Sequence, residues 1–343
     1  LKKKTHKSKI GGQALFEGVM MRGLDKEAMA VRQKDGSIYI EEKPVPANKW
    51  YQKTLFIRGV FNFILQMKNG YSYLMKSMEK SGFLDEDEPR EKSKTEEVID
   101  VLLDVDDVEP IKVKSKAGET AIGVIGMILG ISIAVLLFMF VPAQGFTWFS
   151  MLFEEDISRY QPLFEGAIRI ILFVVYMWAI SLMKEIRVTY EYHGAEHKTI
   201  AAYEAGVELT IENVKQHRRF HPRCGTSFLF LVLAISIVFY SVLQFFLPVS
   251  SAAIVDWLGV HTIIANIIRT GVKLLCLPFL VGITYEVIKL AGRYDRNIIM
   301  RIISAPGLGM QRLTTREPSE RQIEVAIAAM LPVIPADKEQ DRW

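Results

Sequence analysis

Residues 121–141 read AIGVIGMILGISIAVLLFMFV, twenty-one positions without one charged side chain. At about 1.5 Å per helical residue such a run crosses the ~30 Å hydrocarbon layer of a bilayer, which makes it a candidate membrane span. Three further apolar blocks follow it. Leu163–Met183 is nearly as apolar but carries Glu165 and Arg169. Thr226–Leu247 is uncharged and rich in Phe and Leu, and Thr262–Ala291 carries Arg269, Lys273, Glu286 and Lys289. Half of the 343 residues are hydrophobic, an ordinary fraction for a soluble domain, but here they are pooled into blocks rather than scattered. The expected fold is therefore an α-helical polytopic membrane protein with four transmembrane helices and a small β-containing element at the N-terminal end. Disorder, collagen-like fibre and a disulfide scaffold are excluded, the last because only Cys224 and Cys276 are present.

Loop charges set the expected orientation. The loop after the first block has one basic residue, Arg159, beside Glu154, Glu155 and Asp156, and residues 248–261 contain no Lys or Arg. By contrast, residues 184–225 contain seven: Lys184, Arg187, Lys198, Lys215, Arg218, Arg219 and Arg223. That loop belongs on the cytosolic side of the membrane, with both termini beside it (N-in/C-in). A rival reading makes residues 250–268 a fifth span and sends the Arg-rich tail outside.

Outside the blocks, residues 1–52 read as a cytosolic β element. Glu27–Gln33 and Ser37–Lys43 alternate around Lys34-Asp35-Gly36, a hairpin-type turn. Residues 10–21 are interrupted by glycines and Glu17 and make no signal-peptide core; tight turns account for the glycines there. Residues 53–84 have helical period, with Phe56, Ile57, Val60, Phe61, Ile64, Met67, Tyr71, Leu74 and Met78 along one side. Such a helix either lies in the membrane interface or docks on the protein's own bundle. Residues 85–119 hold thirteen acidic and six basic side chains and read as a flexible acidic tether, with a weak apolar rhythm at 98–105. The membrane domain then spans 120–292. In the cytosolic tail, 293–343, Pro318-Ser319 followed by Gln322 is a capping-box start for a packing helix over 319–331. Without the tether the chain has ten more basic than acidic residues. Anionic lipid headgroups are the simplest partner for that excess, and no basic cluster or aromatic platform points to sequence-specific nucleic acid binding.

Chemistry concentrates in the loop 184–225, which holds four of the six histidines. His193 and His197 are four apart, so a helix puts both imidazoles on one face, with Glu196 beside them. This is the H-x-x-E-H arrangement of inverted zincins, in which two histidines hold zinc and the glutamate takes a proton from water on the ion. His221 and Cys224 have ligand-like spacing, and imidazole and thiolate are usual zinc ligands. The expected metal set is His193, His197, His221 and Cys224, with Glu196 as the catalytic base. His217, Glu286 and Glu17 are accessory candidates, Glu286 having an intrahelical pair with Lys289 as its simpler role. A closed clamp that only staples the loop and an open site with a water position both fit this spacing. Arg269 and Lys273 share a helix face in the fourth block, where they line an anion path, bind lipid phosphate or snorkel. Arg169 pairs with Glu165 at i,i+4.

These motifs, taken together, carry a resemblance. Residues 10–23, IGGQALFEGVMMRG, the run His193-Gly194-Ala195-Glu196-His197-Lys198, the run His221-Pro222-Arg223-Cys224-Gly225-Thr226 and residues 311–318, QRLTTREP, resemble in order the YqhQ-like bacterial integral-membrane family. That resemblance implies a domain of unknown function carried as a predicted metal-dependent enzyme, with polar signatures at both ends that assemble one site or grip a partner. Two functions follow as expectations. One is a membrane metal-dependent hydrolase acting on a lipid-linked or peptide substrate. The other is a non-enzymatic biogenesis or assembly factor, associated with a translocon or ribosome component, in which zinc is structural.

Overall fold

In strands β2 (Gly18–Arg22) and β3 (Lys26–Arg32), Val19, Met21, Ala28 and Ala30 alternate with Met20, Met29 and Val31, and all seven are buried. A strand apolar on both sides must be covered on both faces. β1 (Gly11–Leu15), β2, β3 and β4 (Ile38–Pro44) form an antiparallel meander in that order. β3 and β4 pair from Arg32↔Ile38 to Lys26↔Pro44, around the Lys34-Asp35-Gly36 turn. The β1–β2 hairpin turns through Phe16 and Glu17, and Glu17 takes a left-handed φ of 49°.

This computed structural model describes residues 6–47, 49–83, 116–221, 224–247, 249–294, 297–338 and 340–342. The chain divides into two units, one of residues 1–91, 177–231 and 281–343, the other of residues 92–176 and 232–280. The acidic segment falls almost wholly on 84–115, outside the described residues.

In the first unit, one face of the sheet packs on α1 (Ile57–Lys80), with Leu15, Met20, Met29, Val31 and Tyr73 buried together. Tyr73 Oη donates to Glu27 at 2.7 Å. The side of α1 that packs is not the expected apolar stripe. Gly59, Gly70, Tyr73 and Ser77 are buried, whereas Phe61, Ile64, Met67 and Tyr71 are exposed. Small residues allow the close approach of Gly59 to Gly282 and Tyr285, so the large apolar side chains are left outward. The other face of the sheet meets the helices Lys184–Ala205 and Glu320–Met330, through Tyr192, Ala195, Ile323, Ala326 and Met330.

Four helical stretches among the described residues are long and apolar enough to cross a membrane: Ile128–Ser150, Ser158–Ile180, Ser227–Leu258 and Thr262–Arg293. The first overlaps the expected 121–141, which lies within one continuous helical run. Helix α2 (Lys116–Val135) continues through a π-helical turn, Leu136–Phe140, into α3 (Val141–Ser150). Pro142 falls within the first two positions of α3, where its missing N–H is tolerated. Helices α4 (Gln161–Ile180), α5 (Lys184–Ala205), α6 (Ile211–Lys215) and α7 (Gly225–Phe246) follow. The fifth-span alternative does not form a helix. Residues 250–268 are divided between α8 (Ser251–Leu258) and the start of α9 (Thr262–Arg293), with a left-handed Gly259 (φ 66°) between them.

Glu165, Arg169, Arg269 and Lys273 lie in the second unit and are buried together. Glu165 accepts from both Arg269 Nη1 and Lys273 Nζ, while Arg169 Nη2 stands 3.9 Å away. Arg169 instead donates Nε to the Phe138 carbonyl of the π-turn at 2.7 Å, and Arg269 donates Nε to Val249 O at 2.9 Å. The closest ionic partners of Glu165 are thus on another helix, with Arg169 one turn along its own as a longer ion pair, and Arg269 and Lys273 do not snorkel. A carboxylate and its cations in a low dielectric are tolerable only when paired and hydrogen-bonded.

The tail adds α10 (Ile298–Thr314), unanticipated because Pro306, Gly307 and Gly309 interrupt its pattern. It ends in α11 (Glu320–Met330), opened by the reciprocal Ser319/Gln322 capping box.

Candidate metal centre

His193 and His197 sit one turn apart on α5, ring centroids 4.4 Å from each other. Cys224, immediately before α7, brings Sγ to 3.2 Å from His193 Nε2. One ligand atom from each of these three residues lies within 4.8 Å of the other two. The remaining ring nitrogens are fixed by backbone. His193 Nδ1 lies 2.8 Å from the Thr314 carbonyl and His197 Nδ1 lies 2.6 Å from the Arg219 carbonyl. A carbonyl can only accept, so each Nδ1 carries a proton, and in the neutral ring each Nε2 keeps its lone pair. This is how outer hydrogen bonds orient metal-ligating histidines.

His221 is not one of these three but lies beside them. Its ring is 5.6 Å from that of His197, and its Nε2 is 4.0 Å from Glu204. Its main chain is clamped by Gln311, which accepts from His221 N at 2.8 Å and donates to His221 O at 2.7 Å. His217 lies near Lys198, and burial lowers its imidazole pKa, with the Lys198 charge adding to the shift. Glu286 is not at the cluster and does not hydrogen-bond Lys289; both its oxygens take Arg58 of α1. Glu17 accepts from Tyr192 Oη at 3.0 Å. Its backbone turns the first hairpin and its side chain ties that hairpin to α5.

Glu196 is buried on α5 against β1. Burial pushes its carboxyl up to about 7, against the pull of the His193 charge and a hydrogen bond from the Gly12 N–H. Gly12 lies within a strand and is no turn residue. A Cβ there would come 2.8 Å from the Glu196 carboxyl carbon and oxygen. Position 194 is under a similar constraint, because the chain leaving α10 crosses α5 there. Arg316 N donates to Tyr190 O at 2.8 Å, and a Cβ on Gly194 would overlap the Arg316 carbonyl oxygen. Gly194→Ala should therefore lose about 1–3 kcal/mol. A thermal melt in detergent should show the drop beside Gly130→Ala, whose Cβ would meet nothing within 4 Å and which should melt like the wild type.

Three side chains that sequence spacing did not single out also hold the site. Gln311 carries the His221 backbone, and Lys198, buried, binds the Glu317 carboxylate and the Lys215 carbonyl. The polar runs near both chain ends were the signal, since 10–23 and 311–318 both come to α5.

Comparison with known proteins places the chain. Residues 55–336 match the family described as "Protein of unknown function (DUF1385)". The chain is also similar to "Uncharacterized protein YqhQ" of Bacillus subtilis (strain 168), 30% identical over 320 residues, covering 92% of this chain and 89% of that protein. No solved structure matches.

Proposed function

The chain belongs to the DUF1385 family, and for this member we propose a multi-pass protein of the bacterial cytoplasmic membrane that holds one zinc ion at its cytosolic face and works there as a metal-dependent hydrolase. The convergence of His193, His197 and Cys224 carries this reading. Two imidazoles and a thiolate are a borderline-soft set that suits zinc. Three protein ligands leave a tetrahedral ion one position, the pattern of catalytic rather than structural sites. A zinc ion would supply Lewis acidity and a lowered pKa for water. The protein's part is to orient both histidines through Thr314 O and Arg219 O and to keep Glu196, next to His197, as the group that takes up and returns a proton. The seven basic residues of 184–225 support a cytosolic face, and the four apolar helices support the membrane.

Elemental mass spectrometry on detergent-purified protein tests the reading. Wild type and Glu196→Gln should each carry about one zinc per chain and His197→Ala almost none. Wild type without metal would overturn the proposal, and zinc lost from Glu196→Gln would overturn the role given to Glu196.

A further inference from the structure

Beside the histidine–cysteine cluster the first unit has an open cavity of about 520 Å³, within the usual range for small-molecule sites. Four guanidinium groups line it, those of Arg187, Arg219, Arg312 and Arg316, against two carboxylates, Glu191 and Glu317. Both carboxylates have partners already. Glu317 binds Lys198, and Glu191 accepts from Gln322 Nε2 at 3.0 Å, with Arg187 Nε at 3.7 Å. Arg219, Arg312 and Arg316 form no ion pair among the described residues. Arg316 gives Nη2 to Ser181 O at 3.2 Å, while its Nε is buried with no hydrogen-bond partner.

We infer that this cavity binds the phosphate of an anionic phosphoester, held by Arg219, Arg312 and Arg316. A carboxylate is satisfied by one guanidinium fork, whereas three unpaired guanidiniums match the charge and the several oxygens of a phosphate. Trp178, Ser181 and Leu182 form another part of the wall, at the end of the span Ser158–Ile180. An aromatic and a cation cluster at the end of a span mark the depth of lipid headgroups. The cavity also shares backbone with the cluster. The Arg219 carbonyl receives His197 Nδ1, and Thr315 follows Thr314, whose carbonyl receives His193 Nδ1. As a statement about substrate, the inference rests on the zinc-site reading and narrows its substrate to phosphoesters.

The test measures binding to full-length protein in detergent, with inorganic phosphate in one arm and dihexanoyl phosphatidic acid in the other, and dihexanoyl phosphatidylcholine as control. Arg219→Gln and Arg312→Gln should each weaken binding about tenfold or more. Arg301→Gln, on an exposed face of α10 away from the cavity, should leave it unchanged. Arg312 is exposed, so that variant stays informative if Arg316→Gln fails to fold. Phosphatidic acid bound more tightly than phosphate upholds the site with a lipid source; equal affinity upholds it with a soluble one. No binding of either probe, phosphatidylcholine bound equally well, or Arg219→Gln and Arg312→Gln no weaker than Arg301→Gln would overturn it. Binding lost in His197→Ala but kept in the arginine variants would put the anion on the metal and overturn it too. Zinc content read on the same samples separates the two proposals. Zinc without phosphate binding sinks only the cavity, and phosphate binding without zinc sinks only the metal site.

Discussion

Glu165→Leu, with Arg169, Arg269 and Lys273 left in place, should lose about 3–5 kcal/mol of stability, the usual cost of stranding a buried charge. Glu165 is 1% exposed, and the three cations around it are between 3% and 6% exposed. Removing the carboxylate takes the partner from Arg269 Nη1 and Lys273 Nζ together. It also breaks the hydrogen bond from Gln161 Nε2, 3.0 Å long, which in turn reaches Ser251 Oγ at 2.9 Å. Water cannot compensate a cation held among apolar helices. The carbonyls of Phe138 and Val249 hold one nitrogen each of Arg169 and Arg269 but bring no charge. Unfolding followed in detergent should therefore put Glu165→Leu far below wild type. A quadruple change, Glu165→Leu with Arg169→Met, Arg269→Met and Lys273→Met, should recover most of the loss, because apolar replacement of a whole buried ionic group is often neutral. A single Glu165→Leu as stable as wild type would show that the cations are hydrated and the cluster is not buried.

That cluster shows what was legible beforehand and what was not. Four spans were readable because length without charge has one main meaning, and the β3–β4 hairpin because Asp35-Gly36 is turn chemistry between alternating strands. Glu165 and Arg169 were read as a pair because spacing exposes only neighbours on one helix. The stronger partners lie on α9, more than a hundred residues on, and no local period reveals them. The same limit applies at the candidate metal centre. His193, His197 and Cys224 were legible as residue types at ligand spacing, but the groups that orient the two histidines are the carbonyls of Thr314 and Arg219. A backbone carbonyl has no residue identity to read. His221 has the same ligand spacing; its ring centroid lies 5.6 Å from that of His197, and its main chain is held by Gln311, a contact no spacing reveals. Gly12 shows a third kind of limit. Its role is the space its missing Cβ leaves for Glu196, and nothing in the sequence says what will occupy that space.

The ligand count decides between an open and a closed zinc site, and single substitutions should separate them sharply. Cys224→Ala should leave almost no zinc in the purified protein, because it removes the thiolate nearest to His193 Nε2. Two imidazoles alone hold zinc far more weakly than a three-ligand set with a thiolate. His221→Ala should keep about one zinc per chain, since its ring nitrogen is not among the three that converge. Cobalt(II) in place of zinc gives an independent reading. Wild type and His221→Ala should show the near-ultraviolet absorption of a cobalt–thiolate bond, and Cys224→Ala should lose it. Zinc lost from His221→Ala as completely as from Cys224→Ala would mean four protein ligands and no position for water. The ion would then contribute folding energy alone, and Glu196 would have no proton to move. Zinc kept by His221→Ala and lost from Cys224→Ala instead leaves a three-ligand ion with a free position next to a buried carboxyl group, the arrangement hydrolysis requires.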